Sequence, residues 1–242
     1  MCPSRRRKRL KHRDILPSNM RALILDFDGV IVDSERHWKI KEREVLCELL
    51  PNGWTLADGQ KTMGMSISDM HRFLTKEHGL HMHHKEWLSL VDRIARRVYE
   101  VCSLIDGVDK CLQSVKRQGI PLAIASSSHK DWITDTLTRF KIAHHFSAIA
   151  SSELLKPGEG KPKPTIYLRA AEMIDVPPEQ CIAIEDSEHG TKAAKNAGMY
   201  CVGLRNGMND FQDLSAADRI ISHFREFDIL QPYTKNQKIL VT

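Results

Sequence analysis

Residues 21–26 form an apolar run, Ala-Leu-Ile-Leu behind Arg21, that ends on the charge of Asp26. A strand covered on both faces, as in a parallel sheet, shows no polar alternation and reads this way. Similar runs recur at 121–126, 181–185 and 200–203, with a shorter one at 147–151. Stretches of helical period lie between them, at 108–118, 130–140, 164–174 and 191–197. Gly119 and Gly198 stand where helices commonly stop. The alternation predicts an α/β fold built on a doubly wound, mostly parallel sheet.

Residues 36–102 break that alternation. They carry helical patterns over 38–50, 68–78 and 85–99, separated by Pro51-Asn52-Gly53 and by Gly79, and they contain no strand run. The division this suggests is an α/β core over 21–35 and 103–232, interrupted by an all-helical insertion over 36–102. No apolar run approaches the length of a membrane span, so the chain is not read as an integral membrane protein.

Charge changes the picture only at one end. The whole chain nets +5, but residues 1–20 hold seven Lys or Arg and one Asp, a net of +6, so the remainder nets −1. The basic character therefore belongs to an extension and not to a face of the fold. Residues 1–20 read as a basic disordered extension, with a nucleic-acid contact or an organelle or nuclear targeting role as the alternatives. Outside that extension no nucleic-acid partner is expected. The six cysteines form no C-x-x-C pair, and several lie in apolar runs, where a thiol packs as a small hydrophobe. A reducing, cytoplasmic setting without a zinc site is the expectation. The clustered His78, His81, His83 and His84 have no accompanying ligand framework and read as an inter-helix connection.

The candidate chemistry lies at the strand ends. Ligands of an open parallel sheet bind beyond the carboxyl ends of its strands. Asp26 and Asp28 follow the first run, Ser126 closes a second and Glu185-Asp186 close a third. Helix capping accounts for one such acid, not for all of them. A phosphate ester poses the problem such a set could solve, because attack on an anion needs its charge neutralised. Asp26 and Asp186 could hold Mg²⁺, which prefers oxygen ligands. Asp28, two residues beyond Asp26, is placed for acid–base work. Gly29 would let the backbone approach a phosphate.

Four segments then extend the pattern in order: Asp26-Phe-Asp28-Gly-Val-Ile-Val-Asp33-Ser34-Glu35, Ala123-Ile-Ala-Ser126, Gly160-Lys161-Pro-Lys-Pro-Thr-Ile-Tyr167, and Ile184-Glu185-Asp186-Ser-Glu-His-Gly190. Together they resemble the signatures of haloacid dehalogenase (HAD) phosphotransferases. The resemblance implies a Rossmann-like core in which Asp26 becomes a phospho-aspartate. It implies that Asp28 is the acid and base and ligates Mg²⁺ through its carbonyl, and that Ser126 holds the phosphoryl group. Lys161, favoured over Lys163, pairs with Asp26, while Asp186 and Glu185 complete the metal site. Asp33 reads either as a helix cap or as part of the site.

The insertion resembles the helical cap of HAD phosphatases and β-phosphoglucomutases, a device that closes over small substrates. Gly29, Trp38, Lys61, Gly64, Ser66, Ser127 and Lys130 are the substrate contacts this implies, and Trp38 also reads as a packing aromatic. Mutases of this group carry a His where this chain has Trp38, an Arg where it has Ile67, and a Lys where it has His129. The expectation is therefore a monomeric, Mg²⁺-dependent phosphatase of small phosphorylated metabolites, sugar or polyol phosphates in particular. A β-phosphoglucomutase-type phosphotransferase is the alternative, and a nucleic-acid-binding protein acting through the tail is the third reading.

Overall fold

The computed structural model describes residues 19–62 and 65–227. Six parallel strands form one sheet: β1 (Ala22–Leu25), β2 (Leu122–Ala125), β3 (Ala148–Ala150), β4 (Cys181–Glu185), β5 (Tyr200–Leu204) and β6 (Arg219–Ile221), in the order β3-β2-β1-β4-β5-β6. The chain runs outward from β1 through β2 to β3, then returns to the other side of β1 with β4. This reversal makes the gap between β1 and β4 the switch point at which open sheets bind ligands.

Side-chain size sorts by strand parity. Leu23 and Leu25 of β1, Leu122 and Ile124 of β2, and Ile182 and Ile184 of β4 face one side. Ala22, Ala123, Ala125, Cys181, Ala183 and Cys201 face the other, with Ile24 as the larger exception. The small face lets α7 (Thr165–Met173) and α8 (Glu188–Asn196) come close through Ala170, Ala171, Ala193 and Ala194. The large face packs on α5 (Val108–Arg117) and α6 (Lys130–Arg139). Interdigitation at near-crystalline density explains why each face takes its own residue sizes.

Between β1 and α5 stand α1 (Glu35–Leu49), α2 (Leu56–Thr62), α3 (Ile67–His78) and α4 (His84–Val101), and among the described residues no strand. This is the expected helical cap, and its apolar cluster continues into that of the large sheet face through Leu46, Trp87 and Tyr99. The α2 helix is absent from the sequence reading. It begins where Thr55 and Asp58 exchange hydrogen bonds, Thr55 N–H to Asp58 Oδ2 at 3.1 Å and Asp58 N–H to Thr55 Oγ1 at 3.3 Å, which is a capping box. The α8 helix starts at Glu188, three residues earlier than its apolar period suggests, because Ser187 Oγ accepts from Gly190 N–H. The edge strand β6, too short and too polar to register as an apolar run, is recruited by pairing with β5. Among the described residues no helix is long and apolar enough to cross a membrane. Residues 1–18, with most of the basic extension, and 228–232 lie outside the described residues.

Candidate active site

Asp26 follows β1 and Glu185-Asp186 close β4, so the two strands flanking the switch point deliver three carboxylates to one place. One oxygen from each of Asp26, Glu185 and Asp186 lies within 4.8 Å of the others, and all three residues are buried. Lys161 brings a single ammonium to them, with Nζ 2.7 Å from Asp26 Oδ1 and 2.5 Å from Glu185 Oε1. Its neighbour Lys163 points to solvent.

The two acids at the end of β4 are held very differently. Glu185 Oε1 accepts from Lys161 and from Tyr167 Oη at 2.9 Å, and its Oε2 accepts from the backbone N–H groups of Asp186 and Ser187 and from Ser187 Oγ. Both oxygens of Glu185 are thus engaged by protein donors, which suits a group that fixes Lys161. Asp186 accepts at Oδ2 from Asn206 Nδ2 at 2.9 Å, and Asn206 also donates to the Gly29 carbonyl at 2.8 Å. Asn209 Nδ2 donates to the Asp186 and Leu204 carbonyls. Neither asparagine stands in an apolar run or a recognised motif, so nothing in the linear pattern points to them.

Gly29 adopts φ +76°, and a Cβ there would overlap the Asp186 carboxylate. The space this glycine leaves is filled by an acid of the site itself, whereas the sequence suggested close approach of a phosphate. Gly190 does the same for Glu185. A side chain at either position would push an acid off the site.

Asp28 turns toward the cap hinge. Ser34 Oγ donates to its Oδ1 at 2.5 Å, Tyr99 Oη to Oδ1 at 2.9 Å and Ser128 Oγ to Oδ2 at 2.7 Å. Tyr99 comes from the last turn of α4, so a cap residue holds an acid of the core. Ser126 is buried, and its Oγ accepts from Ser128 N–H at 3.0 Å. Asp33 pairs with Arg36 at 2.9 Å and gives no cap hydrogen bond to α1.

Electrostatics define what the site can hold. Burial pushes the Asp26 carboxyl up to about 8, against the pull of Lys161 and with the help of Glu185 and Asp28. Burial also raises Asp28, and it raises Asp186 well above the usual carboxylate range with support from Glu35 and Glu185. Lys161 is raised in turn: burial opposes its charge, but Asp26 and Glu185 outweigh burial. One ammonium does not compensate this many buried carboxylates. An oxygen-rich cluster with excess negative charge fits a hard divalent cation.

These groups open into a cavity of about 130 Å³ roofed by the cap. Of the expected substrate contacts, Trp38 and Ser127 line it. Lys61 is exposed and 4.0 Å from Asp58, and Lys130 is exposed with its backbone N–H on Glu153. Neither lines the cavity. Ser66 caps α3, with Oγ accepting from Asp69 N–H at 3.1 Å, and Gly64 lies outside the described residues. His78 packs its ring on Trp54 and Phe73, and His84 packs on His71, so these histidines serve the cap's structure.

A parallel sheet whose switch point carries a buried Asp–Lys–Glu–Asp cluster under a helical lid defines an enzyme of the HAD class. The family profile described as haloacid dehalogenase-like hydrolase matches residues 23–204, and the chain belongs to that family. It is 30% identical over 190 residues, 77% of this chain and 84% of the relative, to hexitol phosphatase B of Escherichia coli K12. Beta-phosphoglucomutase of Bacillus subtilis 168 is 28% identical over 215 residues, covering 84% and 89% of the two chains. Among solved structures, CbbY from Rhodobacter sphaeroides in complex with phosphate superposes with a TM-score of 0.72 at 25% identity, over 86% of this chain and 96% of that one.

Proposed function

We propose that this protein is a Mg²⁺-dependent phosphatase that hydrolyses the phosphate monoesters of small sugars or polyols. The observation that carries the reading is the pairing of Asp26 with Lys161 beside Asp186, in a cavity beneath the helical cap. Asp26 Oδ1 is held by Lys161, which leaves Oδ2 to attack phosphorus and form an aspartyl phosphate. Lys161 spreads its charge over Asp26 and the incoming phosphoryl oxygens. Ser126 donates its hydroxyl to the transferring group. Asp28 gives its proton to the leaving alcohol, then takes one from the water that releases Asp26. Asp26 and Asp186, with the Asp28 carbonyl, would hold Mg²⁺, which supplies charge neutralisation at the phosphate. Glu185 is best read as the support of Lys161.

Hydrolysis is favoured over mutase chemistry because the positions where related mutases carry His and Arg hold Trp38 and Ile67, and both line the cavity. The name hexitol phosphatase B supports a polyol phosphate as substrate. The five cysteines among the described residues are free thiols, which supports a cytoplasmic enzyme, and a site complete within one chain suits a monomer.

The test is release of phosphate from 4-nitrophenyl phosphate by purified protein. Turnover that requires Mg²⁺, is abolished by EDTA and falls on the order of 10⁴-fold or more in Asp26→Asn is expected. Undiminished turnover in that variant overturns the nucleophile assignment.

A further inference from the structure

The chamber above the carboxylates has two tiers, and only the lower one suits a polyol. One stripe of α1 lines it, through Glu35, Trp38, Lys39, Glu42, Val45 and Leu46. These positions follow the i, i+3, i+4, i+7 rule of a single helix face. At 1.5 Å per residue the stripe is about 16 Å long, so the chamber extends well beyond the atoms that meet phosphate.

Near the carboxylates the stripe is polar. Glu35 lines the same end of the cavity as Asp28 and Asp186, and Glu42 follows two turns along. Lys39 between them is already engaged, with Nζ 2.9 Å from the Met208 carbonyl and 4.7 Å from the Phe211 ring centroid. Glu35 and Glu42 hydrogen-bond no other described side chain, and their carboxyls are the groups available to substrate hydroxyls.

Farther along, polarity ends. Leu46 lines the cavity together with Ile67 and Met70 of α3 and Trp87, Val91 and Ile94 of α4. The one polar group among these six, the Trp87 indole N–H, donates to the Ile67 carbonyl at 3.1 Å. The hydroxyl of Thr62, which also lines the cavity, is on the carbonyls of its own helix, Gly59 at 3.2 Å and Asp58 at 3.4 Å. Burying a hydroxyl there without a partner would cost a few kcal/mol. Helical interiors normally close to near-crystalline density, and an apolar void stays dry and takes apolar guests. Here the void is continuous with Asp26, Asp28 and Ser126.

We infer that the substrate is a phosphorylated polyol or sugar that carries an apolar alkyl or aryl substituent, with its hydroxyls on Glu35 and Glu42 and its substituent between α1, α3 and α4. This rests on the phosphatase reading for its reactive end. The substituent site stands on the cap residues alone.

The probes are the 1-O-methyl and 1-O-hexyl ethers of glycerol 3-phosphate, which present the same primary phosphate ester and the same free hydroxyl and differ only in the length of the apolar chain. Each methylene transferred from water contributes about 0.8 kcal/mol, so burial of even two of them predicts at least a tenfold higher kcat/KM for the hexyl ether. Binding to Asp26→Asn protein with Mg²⁺, followed by tryptophan fluorescence, should show the same ratio. Ile67 and Met70 are half-buried, so Ile67→Ser and Met70→Ser leave the fold standing, and each should cut the ratio severalfold. Equal kcat/KM and equal binding for the two esters, with 4-nitrophenyl phosphate turned over normally, overturns the substituent site and leaves the phosphatase reading intact. Tighter binding of the hexyl ether without turnover of any ester supports the site and overturns the phosphatase reading.

Discussion

Tyr99, in the last turn of the cap, donates its hydroxyl to Asp28 Oδ1 at 2.9 Å and lies 2.8 Å from Ser128 Oγ. The contact joins helix α4 to an acid at the end of β1, and burial leaves the phenol well above its usual range, so it stays a donor. The position of the cap and that of the Asp28 carboxyl are thereby tied together. In Tyr99→Phe the ring still packs on Phe27, Trp38 and Trp132, but Asp28 loses one of three donors. A hydrogen bond to a charged group contributes about 1.5–3 kcal/mol. We expect kcat to fall about tenfold or more with KM changed much less, measured by steady-state kinetics on 4-nitrophenyl phosphate.

Asn206 holds Asp186 and the Gly29 carbonyl at once. It therefore orients the carboxylate proposed for the metal, and it does not itself line the cavity. Loss of such a supporting bond costs about 10–100-fold in metal affinity. Asn206→Ala should raise the Mg²⁺ concentration for half-maximal activity by that factor while leaving kcat at saturating Mg²⁺ near wild type. Titration of activity against Mg²⁺ checks it.

Without metal, Asp26 titrates near 8 in the folded protein and near the ordinary carboxylate value when unfolded. The folded state then binds more protons between those values, so stability is greatest below about pH 4 for this group and declines as pH rises toward 8. Asp186 shifts in the same direction. EDTA-treated protein should therefore lose Tm between pH 6 and 8. Mg²⁺ at a hundred times its Kd should add about 2.7 kcal/mol of stability, and one fixed Mg²⁺ concentration should raise Tm more at pH 8 than at pH 6, because the cation replaces protons. Differential scanning calorimetry at the two pH values tests both signs.

Lys161 and Lys163 are two residues apart and differ completely in setting. Lys161 is the buried cation between Asp26 and Glu185, whereas Lys163 is exposed. Removing one partner of a buried ion pair costs about 3–5 kcal/mol. Lys161→Met should destabilise the metal-free protein by about that amount in urea unfolding and abolish turnover. Lys163→Met should stay within about 0.5 kcal/mol of wild type, as exposed substitutions do.

Much of this was legible along the chain because parallel strands are buried on both faces. Residues 21–26, 121–126 and 181–185 declare themselves as apolar runs, and each ends on a side chain that the sheet must present at its carboxyl edge. Spacing also separated Lys161 from Lys163 once the Gly-Lys-Pro pattern was recognised. The break in alternation over 36–102 marked the inserted helices for the same reason, since no strand-forming run survives there.

Tertiary structure decided the rest, because those features depend on pairs distant in the chain. Asn206 reaches Gly29 and Asp186, and Tyr99 reaches Asp28, through packing that no local period encodes. Gly29 seemed to make way for phosphate, and in the fold it makes way for Asp186. The sequence by itself determined the strands, the acids at their ends and the helical insertion. Only the fold decided which carboxylates share Lys161, which side chains hold Asp28 and Asp186, and which face of α1 lines the cavity, because each depends on contacts between segments far apart in the chain.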